Sequence, residues 1–162
     1  MATNRKHKKY RPRAVSAVGG LFAIQAKHDA ASDALPMTDD QIADLSIAFR
    51  LAFQAMLTGA ADEQQWSTCV ASLNIAMVLA ERGIGPEYLP QFTAALDGAF
   101  RARIRATRTG KWGFDGDAIQ AIKEAFSAHE LQIEHATKQE IREALIEVRL
   151  RVDAGQVYQE AA

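Results

Sequence analysis

The stretch from Thr38 to Gly83, TDDQIADLSIAFRLAFQAMLTGAADEQQWSTCVASLNIAMVLAERG, decides the fold class, because it spells two amphipathic helices joined by a short turn. Thr38 is placed to cap a free backbone amide and Gln41 to return the bond, while Asp39 and Asp40 suit the positive pole of a helix start. Ile42, Leu45, Phe49, Phe53 and Met56 then recur at helical spacing until Gly59 stops the run. Asp62-Glu63-Gln64-Gln65 repeats the capping pattern, Trp66, Val70, Leu73, Met77 and Ala80 form the next stripe, and Gly83 ends it. So short a link makes the two helices an antiparallel hairpin. Ala71, Ala76 and Ala80 are the residues expected to let them approach closely.

Working outward toward the C-terminus, Gly85-Pro86 and Pro90 mark the start of a third helix, since proline is accepted in a first turn but not in an interior. Its expected core stripe is Leu89, Phe92, Leu96, Phe100 and Ile104. Thr109-Gly110-Lys111-Trp112-Gly113 reads as a loop. Asp115 or Asp117 then caps a fourth helix carrying Ile119, Ile122, Phe126 and Ile133. Thr137-Lys138-Gln139-Glu140 is a further capping box, opening a fifth helix with Ile141, Leu145 and Val148 that ends near Gly155.

Toward the N-terminus the character changes. The first thirteen residues hold Arg5, Lys6, Lys8, Lys9, Arg11 and Arg13 with His7 and no acidic residue. The chain has 19 Lys and Arg against 20 Asp and Glu, so removing those six cations leaves 13 against 20, a body of formal charge −7 behind an arm of +6. Such asymmetry is the mark of a basic arm that seeks a polyanion. The expected division is a basic, disordered arm and linker over residues 1–37, a helical domain over 38–155 and a tail over 156–162. Leu21 to Lys27 is expected to form a short helix within the linker. The fold class is all-α, a compact bundle of four to five helices, with enough apolar residues at 48% for one core.

Lys9-Tyr10-Arg11-Pro12-Arg13, the Trp66-to-Arg82 helix with Asn74-Ile75-Ala76 and Leu79-Ala80-Glu81-Arg82-Gly83, Thr109-Gly110-Lys111-Trp112, and the closing His129, Thr137 and Val148-Arg149 carry a resemblance. Taken together the chain resembles short helical proteins encoded by prophages and plasmids of proteobacteria. The resemblance covers most of the chain and implies mobile-element biology, and it carries over no catalytic residue.

The chemistry legible in the residues is that of phosphate contact. Arg and Lys with Tyr10 in an arm containing Pro12 suit a nucleic-acid backbone, although nothing in the arm reads base sequence. The alternatives for the arm are a solubilising tail, a strap on its own acidic body, or contact with an acidic protein. A second basic cluster comprises Arg101, Arg103, Arg105, Arg108 and Lys111. On a helix Arg101, Arg105 and Arg108 fall within about 60° of one another, making one ridge that pairs phosphates while Trp112 stacks on a base or sugar. The competing reading is local: cations at a helix C-terminus complement its dipole, Asp97 precedes Arg101 by one turn, and Trp112 covers the core.

Other constellations point away from catalysis and from cofactors. No Glu-x-x-His pair precedes His129 or His135, so no helical di-metal site is expected, and His129 reads as a core histidine bonded to a carboxylate or carbonyl. Glu130, Glu134 and Lys138 read as a solvated face at the junction to the fifth helix. Gly83-x-Gly85 and Thr109-Gly110-Lys111 lack a preceding strand and the full phosphate-loop fingerprint, and Asp115-Gly116-Asp117 lacks the other ligands of a calcium loop. No Ser/His/Asp set is present. The single cysteine, Cys69, sits among apolar residues and reads as core. The run from Ala14 to Ile24 contains Ser16, Gly19 and Gly20 and is too short for the ~20 residues that span a bilayer, so a cytoplasmic, non-membrane protein is expected. The expected partners are a DNA or RNA backbone, or alternatively a host or phage protein docked on a helix face.

Overall fold

A computed structural model describes residues 32–155; the arm with its six cations, the Leu21–Lys27 segment and the 156–162 tail lie outside the described residues. The described chain is an all-α bundle of five helices: α1 (Asp39–Thr58), α2 (Glu63–Glu81), α3 (Leu89–Thr109), α4 (Gly116–His135) and α5 (Lys138–Asp153). A single 3-10 turn, Pro86–Tyr88, leads into α3, and no β-strand occurs among the described residues. The helix starts are set by the side chains that the sequence marks. Thr38, Asp62 and Thr137 each accept a backbone N–H and receive the return contact from Gln41, Gln65 and Glu140, completing three capping boxes. Asp115, not Asp117, caps α4 by accepting from the Ala118 N–H at 2.8 Å. Gly59 closes α1 in the left-handed region, φ +74°, where a Cβ is strained.

Helix α2 occupies the middle and touches each of the other four helices. Trp66, Cys69, Leu73, Ala76 and Ala80 are buried along one stripe, and Val78 and Leu79 widen the burial at the C-terminal end, where α5 packs. Val70 and Met77 are only half-buried, and Ala71 is exposed, so Ala76 and Ala80 supply the close approach while Ala71 does not. The Trp66 indole N–H donates to the Ala99 carbonyl at 2.8 Å, a buried bond that fixes α2 against α3.

The most extensive helix contact is α3 on α4. The buried side of α3 is made of small residues, Ala95, Gly98, Ala99, Ala102 and Ala106, with Phe92 and Leu96, and Gly98 of that set lies against Ala118 of α4. The expected α3 stripe is therefore displaced: Phe100 is half-buried and Ile104 is 45% exposed. A Cβ built on Gly98 would stand 2.6 Å from Ala118 Cβ and 2.9 Å from Ala118 Cα, too close for either backbone to ignore. Gly98→Ala should consequently cost about 1–3 kcal/mol by overpacking, despite its gain in helix propensity. Urea melts check this, and an equal or higher midpoint would show that α3 and α4 can separate freely.

Helix α5 packs on α2 through Ala144, with Ile141 and Val148 half-buried, whereas Leu145 is 54% exposed and does not belong to its core stripe. Residues before Thr38 also pack. Met37 lies against the core, the Lys138 N–H donates to the Leu35 carbonyl at 3.1 Å, Pro36 bridges Thr137, and Asp33 pairs with Arg142. The segment 33–37, which the sequence assigns to the linker, is thus docked on the start of α5.

Candidate nucleic-acid interface

The C-terminal two turns of α3 and the loop that follows gather the second basic cluster, and the guanidiniums there divide into two groups. Arg101 Nε donates to Asp115 Oδ2 at 3.4 Å, and Arg105 Nη2 donates to the Gly113 carbonyl. These two arginines hold the 110–115 loop onto α3. Asp115 is the hub of that arrangement: the Ala118 N–H, then Arg101 and Arg105, hold its carboxyl below the usual aspartate range. Arg108 and Lys111 are exposed, and their side chains have no ion-pair partner among the described residues. Arg101, Arg105 and Arg108 do share one side of α3, but only Arg108 of the three points its charge at solvent without a protein acceptor.

Arg103 takes a different course and lies over the Trp66 ring, 5.3 Å from its centroid. Trp112 is half-buried, packs against the core and stands 5.5 Å from Trp66, so the local reading of Trp112 holds: the indole covers the core. Among the described residues at this end of the bundle, Arg108 and Lys111 are the cations with neither a carboxylate nor a ring against them. The cations of the arm, Arg5, Lys6, Lys8, Lys9, Arg11 and Arg13, lie outside the described residues.

Away from this end, two polar arrangements join helices far apart in sequence. His129 is 3% exposed, and its Nδ1 lies 3.1 Å from Gln132 Oε1. Gln132 Nε2 donates to the carbonyls of Ala76 at 3.0 Å and Ile84 at 2.7 Å. Because both donor positions of the amide are taken, its oxygen must accept, and the histidine carries its proton on Nδ1. Burial pushes the imidazole down to about 4, so it is neutral at physiological pH. The core-histidine reading is right, with a side-chain amide oxygen as partner. Glu130 departs from the solvated-face reading: it takes a bidentate pair from Arg50 of α1, at 2.9 and 2.7 Å, half-buried. Glu134 is exposed as expected.

Gln132 and the Arg50–Glu130 pair are the residues that sequence reasoning does not find. Apart from the His129–Gln132 contact within α4, their partners are 48 to 80 residues away. Cys69 is fully buried, and burial pushes its thiol up to about 12, so it stays protonated at neutral pH. No group of three or more His, Cys, Asp or Glu side chains able to hold a metal ion occurs among the described residues. No helix among them is long and apolar enough to cross a membrane. No protein-family model matches the chain, and neither a curated protein nor a solved structure is found to match it.

Proposed function

We propose that the protein is a non-enzymatic, nucleic-acid-associated accessory or regulatory protein of a phage or other mobile element, cytoplasmic, binding the phosphate backbone through its basic arm. The observation that carries this reading is the charge partition, six cations within Arg5–Arg13 against a remainder of formal charge −7. An arm of that composition with no acidic neighbours gains most from phosphates, whose condensed counterions it releases. Support comes from the far end of α3, where Arg108 and Lys111 are exposed and uncommitted among the described residues. Arg101 and Arg105 are assigned a lesser part, because binding a phosphate would take them from Asp115 and Gly113.

The test is retention on DNA and on RNA as salt is raised. Replacing Lys6, Lys8, Lys9 and Arg11 by Gln should weaken binding equally for unrelated sequences and flatten the log–log salt slope by roughly 0.7–0.9 for each phosphate no longer neutralised. Arg108→Gln with Lys111→Gln should lower retention further and leave the melt within about 0.5 kcal/mol of the parent. If neither set changes retention at low salt, the polyanion reading is wrong.

A second reading, a protein-interaction module that docks on a host or phage protein, is favoured by a separate observation. Ile47 at 54% and Leu51 at 65% exposure on α1, and Ile146 at 52% and Leu150 at 58% on α5, give these helices apolar residues on their outer faces. Docking of that kind would depend weakly on salt, in contrast to phosphate binding.

A further inference from the structure

Helix α2 is covered by α1, α3, α4 and α5, yet one strip of it faces an open groove of about 550 Å³. The floor is Ser67, Val70, Ala71, Asn74, Met77 and Glu81, residues three or four apart that follow one side of α2 for about 21 Å at 1.5 Å per residue. One wall is α3, through Leu96, Ala99 and Phe100, and the other is the last turns of α5, through Val148 and Val152. The slot is mainly apolar, straight, and of a length that suits a helix of about 14 residues.

Its two ends differ in charge. At the Trp66 end stands Arg103, which stacks on that indole and has no carboxylate partner among the described residues. At the other end Glu81 pairs with Arg151 at 2.7 Å, and Glu147, which does not itself line the groove, takes the same guanidinium at 3.0 Å, so the three side chains carry one net negative charge. A helix laid antiparallel to α2 would bring its negative C-terminal pole to Arg103 and its positive N-terminal pole to the Glu81–Glu147 pair. Laid parallel, it would meet a like charge at both ends.

We propose that this groove is the docking site for an amphipathic helix of a partner protein, running antiparallel to α2, with an acidic residue in its last turn facing Arg103. The inference rests on the protein-docking reading but places the contact in this groove, through residues other than the exposed Ile47, Leu51, Ile146 and Leu150, and it is independent of phosphate binding by the arm. Loss of salt-sensitive retention on DNA or RNA would therefore leave it untouched.

The probe is a stapled, terminally capped helical peptide of about 14 residues, with Leu at every third or fourth position and Glu in its last turn, titrated into the full chain. Saturable binding is expected, weakened at least about tenfold by Ala71→Glu, which puts a charge on the exposed floor, and about threefold by Arg103→Gln. Both variants should melt like the parent, since both positions are exposed. A nitroxide on the peptide C-terminus should broaden the Trp66 indole N–H resonance, and one on the N-terminus should not. The proposal is overturned if no binding is seen at about 1 mM peptide. Binding indifferent to Ala71→Glu would also overturn it, because the peptide would sit elsewhere, as would broadening of Trp66 by the N-terminal label. Concentration-dependent self-association that Ala71→Glu abolishes would assign the groove to a second copy of this chain instead.

Discussion

Phe126→Ala will cost about 3–5 kcal/mol. The ring is fully buried at the point where α4 meets α1, with its centroid 4.6 Å from Phe49 and 5.7 Å edge-on to Phe53. Removing it takes away transfer free energy and leaves a cavity walled by two other rings, which helix backbones on both sides keep from closing. The loss should be felt unevenly. Helix α1 buries only Phe49, Ala52, Phe53 and Met56, all in its C-terminal half, and two of those four are rings of this cluster. Hydrogen exchange of α1 amides should therefore accelerate more than that of α2 or α3, while Phe126→Leu should cost well under half as much because it fills most of the space. Equilibrium urea unfolding measures the total. A cost below about 1 kcal/mol would mean that α1 and α4 repack over the gap, contrary to the close-packed cluster.

The elements were legible because their signals are local. A threonine or aspartate followed three residues later by Gln or Glu, with an apolar stripe beyond it, is complete within one turn, and the three capping boxes at Thr38, Asp62 and Thr137 form as the pattern predicts. Faces were harder. The core side of α3 is built of alanines and Gly98, which hydrophobic patterning ranks below Phe100 and Ile104, yet close helix approach selects small residues and turns the large ones outward. For α2 the expected stripe is right at Trp66, Leu73 and Ala80 but rotated at Val70 and Met77, which are half-buried while Cys69 and Ala76 complete the buried side. The candidate interface was legible only as composition. That Arg101 and Arg105 serve the loop and Arg108 does not depends on where Gly113 and Asp115 fold back, a tertiary fact with no counterpart in the spacing of the arginines. The groove along α2 is likewise a product of where α5 crosses.

The second large effect is a loss of stability in mild acid, and it follows from His129. Its imidazole titrates near 4 in the folded protein and near 6.5 in an unfolded chain, the difference being set first by burial, against smaller opposing contributions from Gln132 and Glu130. The folded state therefore binds fewer protons than the unfolded state between those two values, and stability must fall as pH falls through that window. The contribution is fully present above about pH 6.5 and is lost progressively down to about pH 4, amounting to on the order of 3 kcal/mol at 1.36 kcal/mol per pKa unit. The carboxyl of Asp115 is shifted downward from 3.8, so its own contribution disappears only below the histidine window and does not confuse it. Urea midpoints measured from pH 7.5 to 4.5 should thus decline steadily in the parent. His129→Gln removes the titrating group, and its stability should be nearly flat over that range even though it starts lower at pH 7.5, since the Gln132 contact and the packing on Phe49 are disturbed. The slope, not the starting value, is the decisive reading: equal slopes in the two proteins would mean that the acid sensitivity comes from elsewhere, and that the imidazole is not held neutral by the core.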